Sequence, residues 1–253
     1  MSENTLKTIA ILGAGHGGCA AAADLTLRGY DVRLHARREQ RLEPIRKKGG
    51  LDITGSVHQG FVEIRSLTTQ VAEAVEGADL IMLVVPAVGL SYYAQELAPL
   101  LSPERIIFLN PGQTGGGLHF THELCKAGYK DDIQLCETAS LTQGCRLLEP
   151  TRVYMLDYLR ELGWSAFPGR HADRLFRTLR PVYPHIVRMH HALETSLANA
   201  NMVMHPPGMV MNAGWIQQTA GDFYFYREGI TDAVGRVMAA IEAERMQIGT
   251  ALG

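Results

Sequence analysis

Apolar runs without polar alternation recur through the first half of the chain, and stretches of helical texture separate them. Thr8-Ile9-Ala10-Ile11-Leu12 is the first, and its unbroken apolar character predicts a strand buried on both faces. Gly17 to Arg28, rich in Ala and Leu, predicts a helix stopped by Gly29. Asp31 to His35 predicts a second strand, and Glu39 to Lys48 a charged helix closed by Gly49-Gly50. Leu51 to Thr54 and Gly60 to Ile64 form a hairpin-like pair. Asp79 to Val85 is another buried strand, stopped by Pro86, and a helix follows from Val88 to Leu101. Arg105 to Leu109 is a strand ended by Asn110-Pro111-Gly112, and Ile133 to Cys136 is the next.

Strands alternating with helices imply right-handed βαβ units in an α/β, Rossmann-type fold, with a mostly parallel sheet and helices on both faces. Ligands of such sheets sit outside the carboxyl ends of the strands. The loops at those ends are 13–18, 35–38, 86–89, 110–117 and 137–143. After about His190 strand signals disappear. From Ala192 onward the pattern is helical, with breaks expected at His205-Pro206-Pro207-Gly208, where two prolines interrupt it, and near Gly221. A boundary at about residue 188 gives a Rossmann-type α/β domain, 1–188, and an all-α segment, 189–253.

The composition is that of a soluble globular chain, 46% hydrophobic and 20% charged. With 24 Lys and Arg against 26 Asp and Glu, charge offers no reason to expect a nucleic-acid partner. Cys19, Cys125, Cys136 and Cys145 contain no C-x-x-C pair, which argues against a zinc site; no metal is expected. No apolar run reaches the roughly 18 residues that span a bilayer, so no membrane association is expected. The polar start, Ser2 to Lys7, lacks the layout of a signal peptide, and a cytoplasmic location is the expectation.

The loop after the first strand reads Gly13-Ala14-Gly15-His16-Gly17-Gly18 and opens a helix directly. In that context Gly13 permits the tight turn, Gly15 lets the backbone approach a pyrophosphate, and Gly18 lets the helix pack closely on the strand. The helix N-terminus then faces the phosphates with free N–H groups. Gly13, Gly15, His16, Gly17 and Gly18 are the expected cofactor contacts, and Pro86 is expected to shape the nicotinamide pocket. NAD-selective sites place an acid at the end of the second strand, but this chain has His35-Ala36-Arg37-Arg38. Arg37 and Arg38 can clasp a 2′-phosphate, which favours NADP over NAD; the alternative is that both are solvated arginines at a helix start.

Six blocks together resemble the opine dehydrogenase family (octopine and nopaline dehydrogenases). They are Gly13 to Gly18; Glu43 to Gly55; Asn110-Pro111-Gly112-Gln113-Thr114-Gly115-Gly116; Glu137-Thr138 with Cys145-Arg146; Leu193 to Asn199 running into Asn201 and His205-Pro206; and Tyr226 to Thr231 with Glu244-Arg245. They span nearly the whole chain in the family's order. The resemblance implies an NAD(P)H-dependent reductive condensation of an amino acid with a 2-oxo acid such as pyruvate, through an imine. It implies His205 as the acid–base residue and places Gln113 and Thr138 at the substrate. Asn201, one helical turn before His205, shares its face.

Read from the residues alone, an imidazole suits proton transfer, and His205 sits where prolines keep it out of a sealed core; a structural histidine is the bland alternative. Family members run longer, and an aspartate in their later helical domain pairs with the histidine. No matching aspartate is evident before Gly253; Asp222 and Asp232 are the nearest candidates. A partial helical domain is therefore expected, its open apolar surface favouring homo-oligomers. Two other readings stay open. One is a different 2-oxo-acid reductase, although such relatives use a lysine on the helical domain and no lysine follows Lys130. The other is an NADP(H)-binding sensor or relic without turnover.

Overall fold

The computed structural model describes residues 6–252, so the polar start from Ser2 to Thr5 lies outside the described residues. The chain forms two compact units, Met1–Ser196 and Leu197–Gly253. This division falls eight residues beyond the expected boundary of 188. Ser196 is tied into the first unit, where its Oγ accepts the Gly115 N–H at 3.0 Å and its carbonyl accepts the Thr114 hydroxyl at 3.3 Å.

The first unit opens with β1 (Thr8–Leu12), α1 (His16–Leu27), β2 (Asp31–His35), α2 (Glu39–Lys48), β3 (Gly50–Gly55), β4 (Gly60–Glu63), β5 (Ser66–Thr68) and α3 (Val71–Val75). It continues through β6 (Leu80–Leu83), α4 (Leu90–Leu97), β7 (Ile106–Leu109), α5 (Gly116–Lys126), β8 (Gln134–Thr138), β9 (Gln143–Glu149) and β10 (Arg152–Tyr158). Then come β11 (Leu162–Phe167), α6 (Ala172–Leu179), β12 (Ile186–Arg188) and α7 (Ala192–Leu197). The main sheet has eight strands in the order β12-β11-β8-β7-β6-β1-β2-β5. It is parallel throughout except where β11 meets β8.

Alternate residues of the central strands feed two separate cores. Ile9, Ile11, Met82 and Phe108 face one, while Ala10, Leu12, Ile81, Leu83, Ile107 and Leu109 face the other. Both faces being covered is why these strands read as continuous apolar runs. A second sheet, β4-β3-β10-β9, lies on the far side of α1, so that α1 packs on β1 and β2 and also on strands of the second sheet. Every residue from Gly18 to Leu25 is buried. A helix apolar all round is the expected solution to burial between two sheets. The expected hairpin is β3–β4; β9 to β12 were not foreseen.

Asp24, fully buried in α1, fastens the second sheet to the helix. It accepts the Tyr158 hydroxyl at 2.5 Å, lies 3.1 Å from His58 Nε2, and pairs with Arg28 at 3.3 Å. A buried carboxylate needs such a set of partners.

The second unit contains α8 (Asn201–Met211), α9 (Ala213–Gln218), a π turn (Phe225–Gly229) and α10 (Asp232–Leu252). One expectation is corrected. The helix does not break at His205-Pro206-Pro207-Gly208; α8 runs through both prolines. They remove two backbone donors. Pro207 and Gly208 are nevertheless buried, and the Asn212 side chain donates to the Gly208 and Gly229 carbonyls at 2.7 and 2.9 Å. Packing and this clamp hold the helix where local propensity would end it. The break near Gly221 is present, with Ala220 and Gly221 at φ 51° and 89°. Met209, Val210, Met211, Trp215, Tyr224 and Tyr226 are exposed. Among the described residues, no helix is long and apolar enough to cross a membrane, and no cluster of His, Cys, Asp or Glu is built to hold a metal.

Candidate cofactor and active site

The glycine turn joins β1 to α1 as expected, and its three key glycines do different physical work. Gly13 has φ 121°, and its N–H donates to the His35 carbonyl at 3.0 Å. A methyl there would lie 2.4 Å from the Val84 carbonyl oxygen. A methyl on Gly18 would lie 1.6 Å from the Gly13 carbonyl oxygen, so helix and strand approach as only glycine allows. Gly15 is exposed, and nothing lies within 4 Å of where its Cβ would be. That open approach at the start of a 12-residue helix fits a pyrophosphate. Gly17 sits against Val84 and Leu141.

His16 is exposed, and its Nδ1 accepts the Leu147 N–H at 2.7 Å, tying the turn to β9. At the end of β2, His35 is fully buried, with its Nδ1 3.2 Å from the Tyr93 hydroxyl. Burial holds its imidazole down at about 4, so the ring is neutral. Arg37 and Arg38 are exposed, and the Arg37 guanidinium lies over the Tyr92 ring at 5.2 Å. Arg38 is the N-cap residue of α2. Pro86 is exposed and begins a short 3₁₀ turn after β6.

The loop 110–117 lies at the carboxyl end of β7. Asn110 is buried, and its side chain holds residue 142 from both sides, Nδ2 donating to Thr142 Oγ1 and Oδ1 accepting the Thr142 N–H, each at 3.1 Å. Gln113 sits at φ 59°, a left-handed backbone that costs a non-glycine residue about 1 kcal/mol. Thr138 ends β8, is fully buried, and its Oγ1 has no hydrogen-bond partner. Beside it Glu137 is fully buried and accepts the Gly117 N–H at 2.8 Å. Burial pushes its carboxyl up to about 7. In the sequence Glu137 stands out only as the neighbour of Thr138. Nothing local marks it, because its burial comes from Gly112 and Gly117 closing over it.

In the second unit, Asn201 and His205 lie on α8 at i and i+4. Asn201 is exposed and His205 half-buried. The Phe225 and Tyr226 rings lie 5.4 and 6.3 Å from the His205 ring. A methyl on Gly208 would meet the Phe225 ring at 2.6 Å, so this glycine admits the ring on which His205 rests. Asp222 and Asp232 are both exposed.

A raised carboxyl pKa makes a stability prediction. Glu137 takes up its proton more readily folded than unfolded, so its contribution is complete below about pH 4.5 and is lost as pH rises through about 7. Glu137→Gln, which cannot ionise, is therefore expected to be more stable than the parent at pH 8 by about 3 kcal/mol and equal to it at pH 4.5. Denaturant unfolding at the two pH values checks this. An equal difference at both would contradict it.

The fold and the glycine turn define a Rossmann-type dinucleotide-binding chain carrying a helical unit. Residues 9–160 match the family model "Ketopantoate reductase PanE/ApbA", and residues 188–253 match "NAD/NADP octopine/nopaline dehydrogenase, alpha-helical domain". The chain is 34% identical to the opine dehydrogenase of Arthrobacter sp. (strain 1C), over 97% of its own length and 68% of the relative's. It is 28% identical to the protein ocs of Agrobacterium vitis, over 98% and 69%. The chain belongs to the opine dehydrogenase family. Among solved structures, an apo yersinopine dehydrogenase matches at a TM-score of 0.74 and 22% identity, covering 92% of this chain and 61% of that one. An octopine dehydrogenase in complex with NADH and agmatine matches at 0.73 and 22%, covering 97% and 64%. The chain thus spans somewhat under two thirds of the length of these solved structures.

Proposed function

We propose that the protein is an NADP(H)-preferring opine dehydrogenase, condensing an amino acid with a 2-oxo acid such as pyruvate and reducing the product to a secondary-amine dicarboxylate. The observation that carries the reading is the match to the Arthrobacter opine dehydrogenase, which runs through both the glycine turn and the His205 helix. The octopine/nopaline dehydrogenase model over residues 188–253 supports the same choice over a ketopantoate reductase. So does the lack of any lysine after Lys130.

The residues take the following roles in this reading. Gly13, Gly15, His16, Gly17 and Gly18 hold the cofactor's pyrophosphate at the N-terminus of α1, and Pro86 borders the nicotinamide. Bound there, the cofactor supplies hydride to the imine carbon. Gln113, Thr138 and Asn201 hold the substrates. The strained backbone at Gln113 and the unpartnered Thr138 hydroxyl are the features expected of groups kept for a ligand. His205 gives a proton to the keto oxygen as the amine adds and recovers one from the amine nitrogen. Given to the resulting hydroxyl, that proton lets the C–O bond break and water leave; the nitrogen then keeps its remaining proton and a positive charge, or loses that proton to leave the neutral imine. The Phe225 ring packs beside the His205 ring at 5.4 Å.

NADPH consumption in the presence of pyruvate and a panel of amino acids tests the reading. Consumption that requires both partners is expected. Tight NADPH binding without turnover for any pair would instead favour a sensor. Cofactor choice is tested separately at Arg37. Stacked on Tyr92, its guanidinium is held at the end of β2, where a 2′-phosphate is read. Arg37→Asp is expected to weaken NADPH binding by about tenfold, roughly 1.4 kcal/mol, and NADH binding little. Equal losses for both cofactors in calorimetric titrations would remove the preference for NADP.

A further inference from the structure

The roles above leave the buried carboxyl of Glu137 unused. Glu137 stands at the carboxyl end of β8, immediately before Thr138. Its Oε2 accepts the Gly117 N–H, while its Oε1 is buried and has no hydrogen-bond partner. The loop 110–117 is shaped around this carboxyl. A methyl on Gly112 would lie 2.0 Å from Oε2, and one on Gly117 would lie 2.9 Å from it. The Gly112 N–H also donates to the Thr138 carbonyl at 3.0 Å. Two glycines that bracket Gln113 therefore rest on one acid, and the strained Gln113 backbone lies between them.

Among the described residues, no charged group acts on this carboxyl. Strand register sets Leu109 of β7 on one side of Glu137 and Ser165 of β11 on the other. The loop and α5 contribute Gly112 and Gly117. None of these ionises. Cys136, next along the strand, is buried, and burial keeps its thiol protonated. Burial and the Gly117 N–H are the two influences on the carboxyl.

We propose that Glu137 is a positioning residue for loop 110–117: its uncharged acid form supports the loop, and its ionisation sets a negative charge beside Gln113 and Thr138 that weakens the binding of an anionic 2-oxo acid. This rests on the substrate role given above to Gln113 and Thr138. The carboxyl's midpoint of about 7 puts the change within the range an oxo-acid assay covers. An anion brought near an unscreened like charge in a dry site is disfavoured, and the effect grows as the carboxyl ionises.

Two measurements on the whole chain and on Glu137→Gln test the proposal. First, the Gly117 amide resonance is followed from pH 5.5 to 8.5. It is expected to inflect near 7 in the parent and not in the variant. Second, the pyruvate dissociation constant is measured calorimetrically with NADP⁺ present. It is expected to rise about fivefold from pH 6 to 8.5 in the parent and to stay level in the variant. A Gly117 resonance without an inflection would overturn the proposal, as would the same pH dependence of pyruvate binding in both proteins. A pH-shifted pyruvate affinity without turnover for any amino acid would overturn the catalytic reading and leave this proposal standing.

Discussion

Gly18→Ala is expected to lose both stability and dinucleotide binding, whereas Gly15→Ala loses the dinucleotide alone. The Gly18 methyl would stand 1.6 Å from the Gly13 carbonyl oxygen. That oxygen belongs to the backbone, so either α1 must move off β1 or the turn must deform. Neither is easy, because α1 is buried from Gly18 to Leu25 and held by Asp24 to Tyr158 and His58. A loss of at least about 3 kcal/mol is expected, with a melting temperature lower by roughly 10 °C. Gly15 has φ −90°, and no atom lies within 4 Å of its Cβ position. Alanine fits there without strain, so the melting temperature of Gly15→Ala should match the parent's. The methyl instead occupies the space through which the pyrophosphate approaches, and NADPH affinity should fall at least about tenfold. Undiminished NADPH binding by Gly15→Ala would show that the phosphates do not lie at this turn.

His205→Ala is expected to lower kcat by about 10²- to 10⁴-fold while leaving NADPH affinity within about twofold of the parent. The separation follows from position, since the glycine turn lies in the first unit and His205 on α8 of the second. It also tests whether His205 is merely structural. A structural histidine resting on Phe225 would reveal itself by a loss of stability that His205→Phe restores. An acid–base residue would not be rescued by a ring that cannot carry a proton. Retention of more than a tenth of the parent's kcat by His205→Ala would remove it from the chemistry.

How much of this was legible in the sequence differs by element, for physical reasons. The strands β1, β6 and β7 announced themselves because each feeds two cores and, Thr8 apart, is apolar at every position. The turn at Gly13 to Gly18 was legible because its glycine spacing answers specific close approaches. The strands β9 and β10 were missed because one face is open, with Leu148, Tyr154 and Leu156 exposed among charged residues, which blurs the usual alternation. Pro206-Pro207 misled for the opposite reason. Local chemistry says stop, but the Asn212 amide and the buried Pro207 and Gly208 override it. Glu137 was hidden in another way. Its burial depends on Gly112 and Gly117, twenty and more residues away in sequence, closing over it.

Reduction of an imine, and not of a ketone, is the central claim, and isotope transfer tests it most directly. The protein is incubated with NADPH deuterated at the reactive nicotinamide carbon, pyruvate and the amino acid that best supports cofactor consumption. The products are then examined by mass spectrometry. The account predicts one deuterium on the carbon that joins the former oxo acid to the amine nitrogen, in a secondary-amine dicarboxylate whose formation slows at least about 100-fold with His205→Ala. Deuterium found instead in a 2-hydroxy acid, formed with or without the amino acid, would contradict it.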